Sequence, residues 1–239
     1  MEEIRLNKYL AVCGVCSRRD ADKLIEEGVV LINGETARAG MKVSAADTVT
    51  VRGRTLHVPQ DKVVLAYYKP KGVICTERDS HAARIVTKEI GYPRRVTYAG
   101  RLDKDSEGLL LLTDDGALIE AMMRGKHGHE KEYIVKSDRK WEDSAIANMR
   151  EGVYLEELSQ TTRPCRIERI GDKTLKMTLT QGLNRQIRRM CMTQGYQVTS
   201  LKRTRVINIE LGDLKPGEYR ELTDAERTAL YQLCGLNSR

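Results

Sequence analysis

Tyr98-Ala-Gly-Arg-Leu-Asp103-Lys-Asp-Ser-Glu-Gly108 runs into Leu109-Leu-Leu-Leu112 and then the turn Thr113-Asp-Asp-Gly116. Four consecutive leucines leave no polar face, so they predict a short strand buried on both sides. A loop anchored on such a strand has rigid support, and this one carries Asp103 between Arg101 and Lys104. Neighbouring positive charge favours the ionised carboxylate that a nucleophile needs. An ordinary turn aspartate in a surface ion pair has the same pattern, and local chemistry alone favours that plainer reading. Asp105 is a candidate second member of a carboxylate dyad, at a separation the sequence leaves open.

Around this centre the chain alternates strands and turns. A β-run over Val63 to Tyr68 is halted by Lys69-Pro70-Lys71-Gly72, and a polar helical stretch is expected near 82–90. A helix follows Gly116 to about Arg124. Further strands are expected over Glu132–Lys136, Arg163–Arg169, Thr174–Thr180, Gln197–Arg203 and Val206–Leu211. Thr223-Asp-Ala-Glu226 caps a last helix that Gly235 ends. Strands outnumber helices and their connections vary, so the predicted class is α+β with a mostly antiparallel sheet.

Residues 1–58 read as a separate small unit. Leu6, Tyr9 and Leu10 recur at helical spacing, and Ser17-Arg-Arg-Asp20 opens a second helix with Ala21, Leu24 and Ile25 on one stripe. Asn33-Gly34 after Val29–Ile32 is a hairpin signal, with strands to follow at Thr48–Val51 and Thr55–Val58. Arg18, Arg19 and Lys23 lie on the exposed helix face, where simple solvation and RNA contact are equally good readings. Pro59–Lys62 is the expected linker, and 63–239 the second domain.

The 239 residues carry a formal charge of +7, which favours an anionic partner. Between Lys173 and Ile209 stand eight basic residues and no acidic one. Within that stretch, Asn184-Arg185-Gln-Ile-Arg188-Arg189-Met-Cys191 places Ile187, Met190 and Cys191 on one helix face. Arg185, Arg188 and Arg189 fall on the other, as a phosphate-binding surface would require, with Asn184 as N-cap. His127-Gly-His129 lacks a third ligand, and Cys13-Gly-Val-Cys16 lacks a second pair, so no metal site is expected. Tyr133 either stacks on a base or is a half-buried strand tyrosine. No apolar run approaches 18 residues and the acidic Met1-Glu2-Glu3 start is unlike a signal peptide. With six scattered cysteines, a reduced, cytoplasmic protein is expected.

Four stretches in order carry a resemblance: Lys69-Pro-Lys-Gly72, Gly100-Arg-Leu-Asp103-Lys-Asp-Ser-Glu-Gly-Leu-Leu, Glu130-Lys-Glu-Tyr133, and Gly182-Leu-Asn-Arg-Gln-Ile-Arg188-Arg-Met. With them the chain resembles the RsuA/RluB/RluE/RluF family of pseudouridine synthases over nearly its whole length, nearest the RluF branch. Residues 1–58 resemble the S4-like RNA-binding module through Arg5-Leu-Asn-Lys8, Ser17-Arg-Arg19 and the Asn33-Gly34 hairpin. The resemblance implies a central antiparallel sheet crossed by a cleft and the isomerisation of uridine to pseudouridine without any cofactor. It assigns Asp103 as the catalytic aspartate, Tyr133 as the residue stacking on the target base, and Arg188 as the partner of Asp103.

Expected RNA contacts are Arg5, Lys8, Arg18, Arg19 and Lys23 in the small domain. In the larger one they are Lys69, Lys71, Arg101, Lys104, Arg185, Arg189, Lys202, Arg203 and Arg205. The implied substrate is large-subunit (23S) rRNA, with tRNA second, and a monomer is expected because no apolar patch is left over. The rival readings are an RNA-binding protein without catalysis and a nucleosidase-like hydrolase using Asp103 and Asp105.

Overall fold

The computed structural model describes residues 3–76, 84–124 and 128–237. The small N-terminal unit packs two helices, Leu6–Val12 and Arg18–Glu26, against a four-stranded sheet. Leu6, Leu10, Ala21, Ile25, Val30 and Val49 form its core. Ser17 caps the second helix by accepting from the Asp20 amide at 3.2 Å. Asn33 and Gly34 make the two-residue hairpin with φ of 52° and 88°, the left-handed pair that such a turn needs.

The last strand of that unit ends at Thr55, and the next sheet begins at Val64. Among the described residues this second sheet has nine strands. Its main path runs Arg166–Gly171, Thr174–Leu179, Lys131–Ser137, Val198–Val206, Glu107–Thr113, Val64–Lys69 and Tyr219–Glu221. Every pairing in it is antiparallel except one, between Val198–Val206 and Glu107–Thr113. The parallel seam is only two residue pairs long, Lys202 with Glu107 and Arg203 with Gly108, and it joins the two halves of the sheet.

The leucine strand is buried on both faces, as its composition demands. Leu109 and Leu111 pack with Ala66 and Tyr68 under the helices Gly116–Met123 and Asp224–Leu233. Leu110 and Leu112 face the other way, with Leu65, Tyr67, Val86 and Ile90. The other half of the sheet has its own core, in which Val135, Met177 and Leu201 meet the helices Asp143–Glu151 and Gln186–Thr193.

Three expectations need correcting. Gln197–Arg203 and Val206–Leu211 are not two equal strands: one strand runs Val198–Val206 and turns at Ile207-Asn208 into the short Ile209–Glu210. Ile207 sits at φ 58°, a conformation its branched side chain disfavours, so no residue there signals a turn. The strand expected from Arg163 starts at Arg166, beyond Pro164, which has no amide to give to a ladder. Helix Asp143–Glu151 was not foreseen at all. Trp141, Ala145, Ile146 and Met149, all buried, are the helically spaced signal that reveals it. Residues 77–83, which include the first two of the expected helix near 82–90, lie outside the described residues, and a single turn, Val86–Glu89, is what is described.

Candidate active site

The loop ahead of the leucine strand is braced from several directions. Lys69 is fully buried, and its ammonium donates to the carbonyls of Val73 (2.8 Å) and Pro70 (3.0 Å), closing the Lys69–Gly72 turn. The Gly72 amide then donates to Lys104 O at 2.7 Å, so that turn supports the Asp103 loop. The Ser106 amide donates to Asp103 O at 3.1 Å. From the neighbouring strand, Arg203 donates through Nε to Leu109 O at 2.7 Å and through Nη1 to Arg101 O at 3.5 Å. Gly108 makes this approach feasible: a Cβ there would lie 2.2 Å from Arg203 O, and its φ is +105°.

Asp103 and Tyr133 line one cleft of about 660 Å³, with Arg101, Lys104, Lys131, Gln181, Arg185 and Arg203 among the other walls. That volume suits one nucleotide. Tyr133 sits on the strand Lys131–Ser137, with Met177 and Arg203 as its cross-strand neighbours.

The arginine helix Gln186–Thr193 closes the cleft from the other side. Its N-cap is Arg185, at φ 50° with no side-chain cap, rather than the expected Asn184. Arg185 places Nη1 3.8 Å from Asp103 Oδ2 and grips both oxygens of Asp105 at 3.1 and 3.0 Å. Burial pushes the Asp105 carboxyl up, but Arg185 and Arg188 outweigh it and hold the group below its usual range. Asp105 is therefore an ionised anchor, the opposite of the proton-sharing member of a carboxylate dyad.

The sequence model of RNA pseudouridylate synthases matches residues 63–193, and that of the S4 domain residues 4–49. The chain belongs to the RNA pseudouridylate synthase family. This synthase is 43% identical over 231 residues to the dual-specificity RNA pseudouridine synthase RluF of Salmonella typhi, spanning 96% of this chain and 79% of that one. It is 35% identical to ribosomal large subunit pseudouridine synthase B of Bacillus subtilis, over 93% of each chain. A crystal structure of a pseudouridylate synthase, 31% identical, superposes with a TM-score of 0.70 over 95% of this chain and 99% of the other. The chain is thus an RNA isomerase, and the binding-only and hydrolase readings are set aside.

Several residues of the synthase sit differently from expectation. Arg188 does not pair with Asp103: it reaches Asp105 Oδ2 (3.3 Å), Asp105 O (3.0 Å) and Val198 O (3.2 Å), leaving Arg185 beside Asp103. Arg189 is paired with Glu157 and donates to Asn184 O at 3.0 Å, so no open face of three guanidinium groups exists. Lys69 and Arg203 are buried under the cleft and cannot present themselves to an RNA backbone as they stand. Arg205 is held by Glu130 at 3.0 Å, Lys71 pairs with Glu107 at 3.5 Å, and Lys202 rests over the Tyr68 ring at 5.0 Å. The basic run after Lys173 is therefore largely neutralised by carboxylates distant in sequence.

Arg101 and Lys104 are exposed on the cleft lip, and Arg5, Lys8, Arg18, Arg19 and Lys23 are exposed on the small domain. The Glu120 carboxyl is held low first by Arg124 and further by Lys8 and Arg18, so the basic face of the small domain adjoins the helix that ends at the cleft. His127 lies outside the described residues; among those described, no three His, Cys, Asp or Glu side chains cluster as metal ligands.

Proposed function

We propose that Asp103 is the catalytic carboxylate, that Tyr133 stacks on the flipped uracil, and that Arg185 rather than Arg188 orients Asp103. The single observation carrying this reading is a half-buried carboxylate on a loop braced from three sides, lining a cleft of one-nucleotide size with a guanidinium 3.8 Å away. Residues 1–58 serve as the RNA-gripping domain, 59–62 as linker and 63–239 as the catalytic domain. The substrate is a uridine in large-subunit (23S) rRNA, with tRNA as second substrate. The dual-specificity and large-subunit names of the relatives support that choice. The enzyme works as a monomer in the cytoplasm, and no described helix is long and apolar enough to cross a membrane.

The chemistry follows from the geometry. Extracting the uridine from its stack costs a few kcal/mol, which aromatic and polar contacts in the cleft offset. Asp103 assists breakage of the bond between uracil N1 and the ribose. The free ring turns in the closed cleft and rejoins the same sugar carbon through C5. Lys104, Arg101 and the exposed cations of the small domain hold the surrounding phosphates, while Lys69 and Arg203 brace the loop from below.

The test is a pseudouridine map of rRNA and tRNA from cells with and without this chain, using a chemical adduct that marks the modified base. One site lost, restored by wild type and not by Asp103→Asn, is the expected result. No site lost, or full restoration by Asp103→Asn, overturns the assignment.

A further inference from the structure

Beneath Asp103 the cleft floor holds two cations, Arg203 and Lys131, that no carboxylate among the described residues pairs with. Arg203 is 3% exposed. Two of its nitrogens are used on Leu109 O and Arg101 O, and Nη2 is buried with no hydrogen-bond partner. Lys131 lies two residues before Tyr133 on the same strand face, and both line the cleft. Among the described residues Lys131 has no ion-pair partner. Its acidic neighbours are engaged elsewhere, Glu130 with Arg166 and Arg205, and Glu132 with Lys176 and Arg205. Burial, and then the nearness of Arg203, push the Lys131 ammonium below its ordinary pKa. On the same cleft wall the Gln181 carboxamide uses its oxygen on the Arg163 amide (3.0 Å), and its Nε2 is also without a partner. Buried donors left empty are costly to keep, so a cleft that retains them is shaped for an acceptor that arrives with the ligand.

We propose that Lys131 and Arg203 form an oxygen-binding subsite for the uracil ring, which holds its negative charge while the ring is detached from the ribose. The proposal rests on the isomerase reading above and names the group that stabilises its leaving base. An RNA phosphate is too bulky and too far outside to reach a guanidinium this deeply buried, whereas a planar ring with carbonyl oxygens at its edge can.

The electron count fits. When the N1–C1′ bond breaks, its electron pair stays on the ring, and the charge spreads onto O2 and O4. The matching deficit at C1′ faces Asp103. A half-turn about the N3–C6 axis exchanges N1 with C5, and with the same motion exchanges O2 with O4. One fixed oxygen subsite therefore grips the ring before and after rotation. The C5–C1′ bond then forms from the ring's own electrons, C5 gives up its proton and N1 takes one up, so nothing is oxidised or reduced. Preorganised donors at a position where charge develops are usually the largest electrostatic contribution to such a step.

The test uses the full-length enzyme and the RNA found by the map, in single-turnover reactions. Lys131→Met is expected to slow the chemical step about a hundredfold, the scale of losing one oxyanion donor. RNA affinity should stay within a few-fold, and Lys131→Arg should restore most of the rate. The same RNA with 5-fluorouridine at the target, followed by loss of the N1–C1′ bond because a fluorine-bearing C5 has no proton to give up, separates charge stabilisation from packing: fluorouracil is the stronger acid and needs less help to leave. The defect of Lys131→Met should be several-fold smaller on that substrate. Unchanged activity, an equal defect on both substrates, or a loss confined to RNA affinity would overturn the proposal. Wild-type activity in Asp103→Asn would instead remove the assignment of Asp103 as the catalytic carboxylate beneath it.

Discussion

Arg185 reaches across the cleft and takes both oxygens of Asp105, at 3.1 and 3.0 Å, and the same guanidinium stops 3.8 Å from Asp103. The two aspartates thus divide the work: Asp105 locks the arginine, and the locked arginine sets the field at Asp103. Arg185→Ala should cut the rate about a hundredfold, the scale on which a small misplacement of a reacting group acts. Its RNA affinity should change little. Asp105→Asn should show a milder form of the same defect, and single-turnover rates set against binding constants separate the two effects. A loss of affinity without a loss of rate would assign Arg185 to RNA binding instead.

Not every arginine near the cleft is available to RNA. Arg101→Ala and Lys104→Ala should each lower the slope of log affinity against log salt by about 0.7–0.9, the value of one phosphate contact. Arg189→Ala should leave the slope unchanged, because Arg189 is already held by Glu157 and Asn184. Filter-binding titrations across a salt series distinguish these outcomes.

Gly108→Ala should be strongly destabilising. Its methyl group would meet Arg203 O at 2.2 Å in a backbone conformation with φ +105° that an L side chain rarely adopts. The strained backbone alone costs about 1–3 kcal/mol. Adding the clash, thermal unfolding should move down by roughly 10 °C for a chain of this size. Equal melting of variant and wild type would mean that the seam between the two sheet halves relaxes freely.

Acid should weaken the C-terminal helix in a defined window. Glu226 completes the capping box with Thr223 and binds Arg220 at 2.7 Å through each oxygen. With Arg220 as the largest cause, its pKa falls from the ordinary 4.5 to about 2. A depressed carboxylate stabilises the fold above its unfolded value, and that stability is lost as pH falls toward the folded one. Glu226→Gln, which keeps the cap's hydrogen-bonding shape, should therefore melt below wild type at pH 7. The gap should close between about pH 4.5 and pH 2. A gap independent of pH would point to geometry rather than charge.

The local elements were legible because their signals are local. Four leucines between two turns required a strand with both faces covered, and Asn33-Gly34 required a tight hairpin. Ser17 and Thr223 marked helix starts through caps that the side chains make with their own neighbours. The Asp103 loop was readable as a carboxylate on a rigid support. Its flanking charges Arg101 and Lys104 do stand on the cleft lip.

What the sequence could not decide is which charge meets which. Arg185, Arg188 and Arg189 sit within five residues of one another with no acid nearby in the chain. Asp105 and Glu157, which bind them, are brought in from as far as 83 residues away. Lys69 and Arg203 carry the composition of phosphate binders, yet the parallel seam at Gly108 pulls both beneath the cleft, where carbonyls claim their donors. The chain by itself thus determined the strands, the turns and the carboxylate, because those depend on neighbours in sequence. Only the tertiary structure decided which cations brace the loop, which face RNA and which wait unpaired at the cleft floor. Electrostatic partners are set by distance through space, and that distance exists only once the sheet has closed.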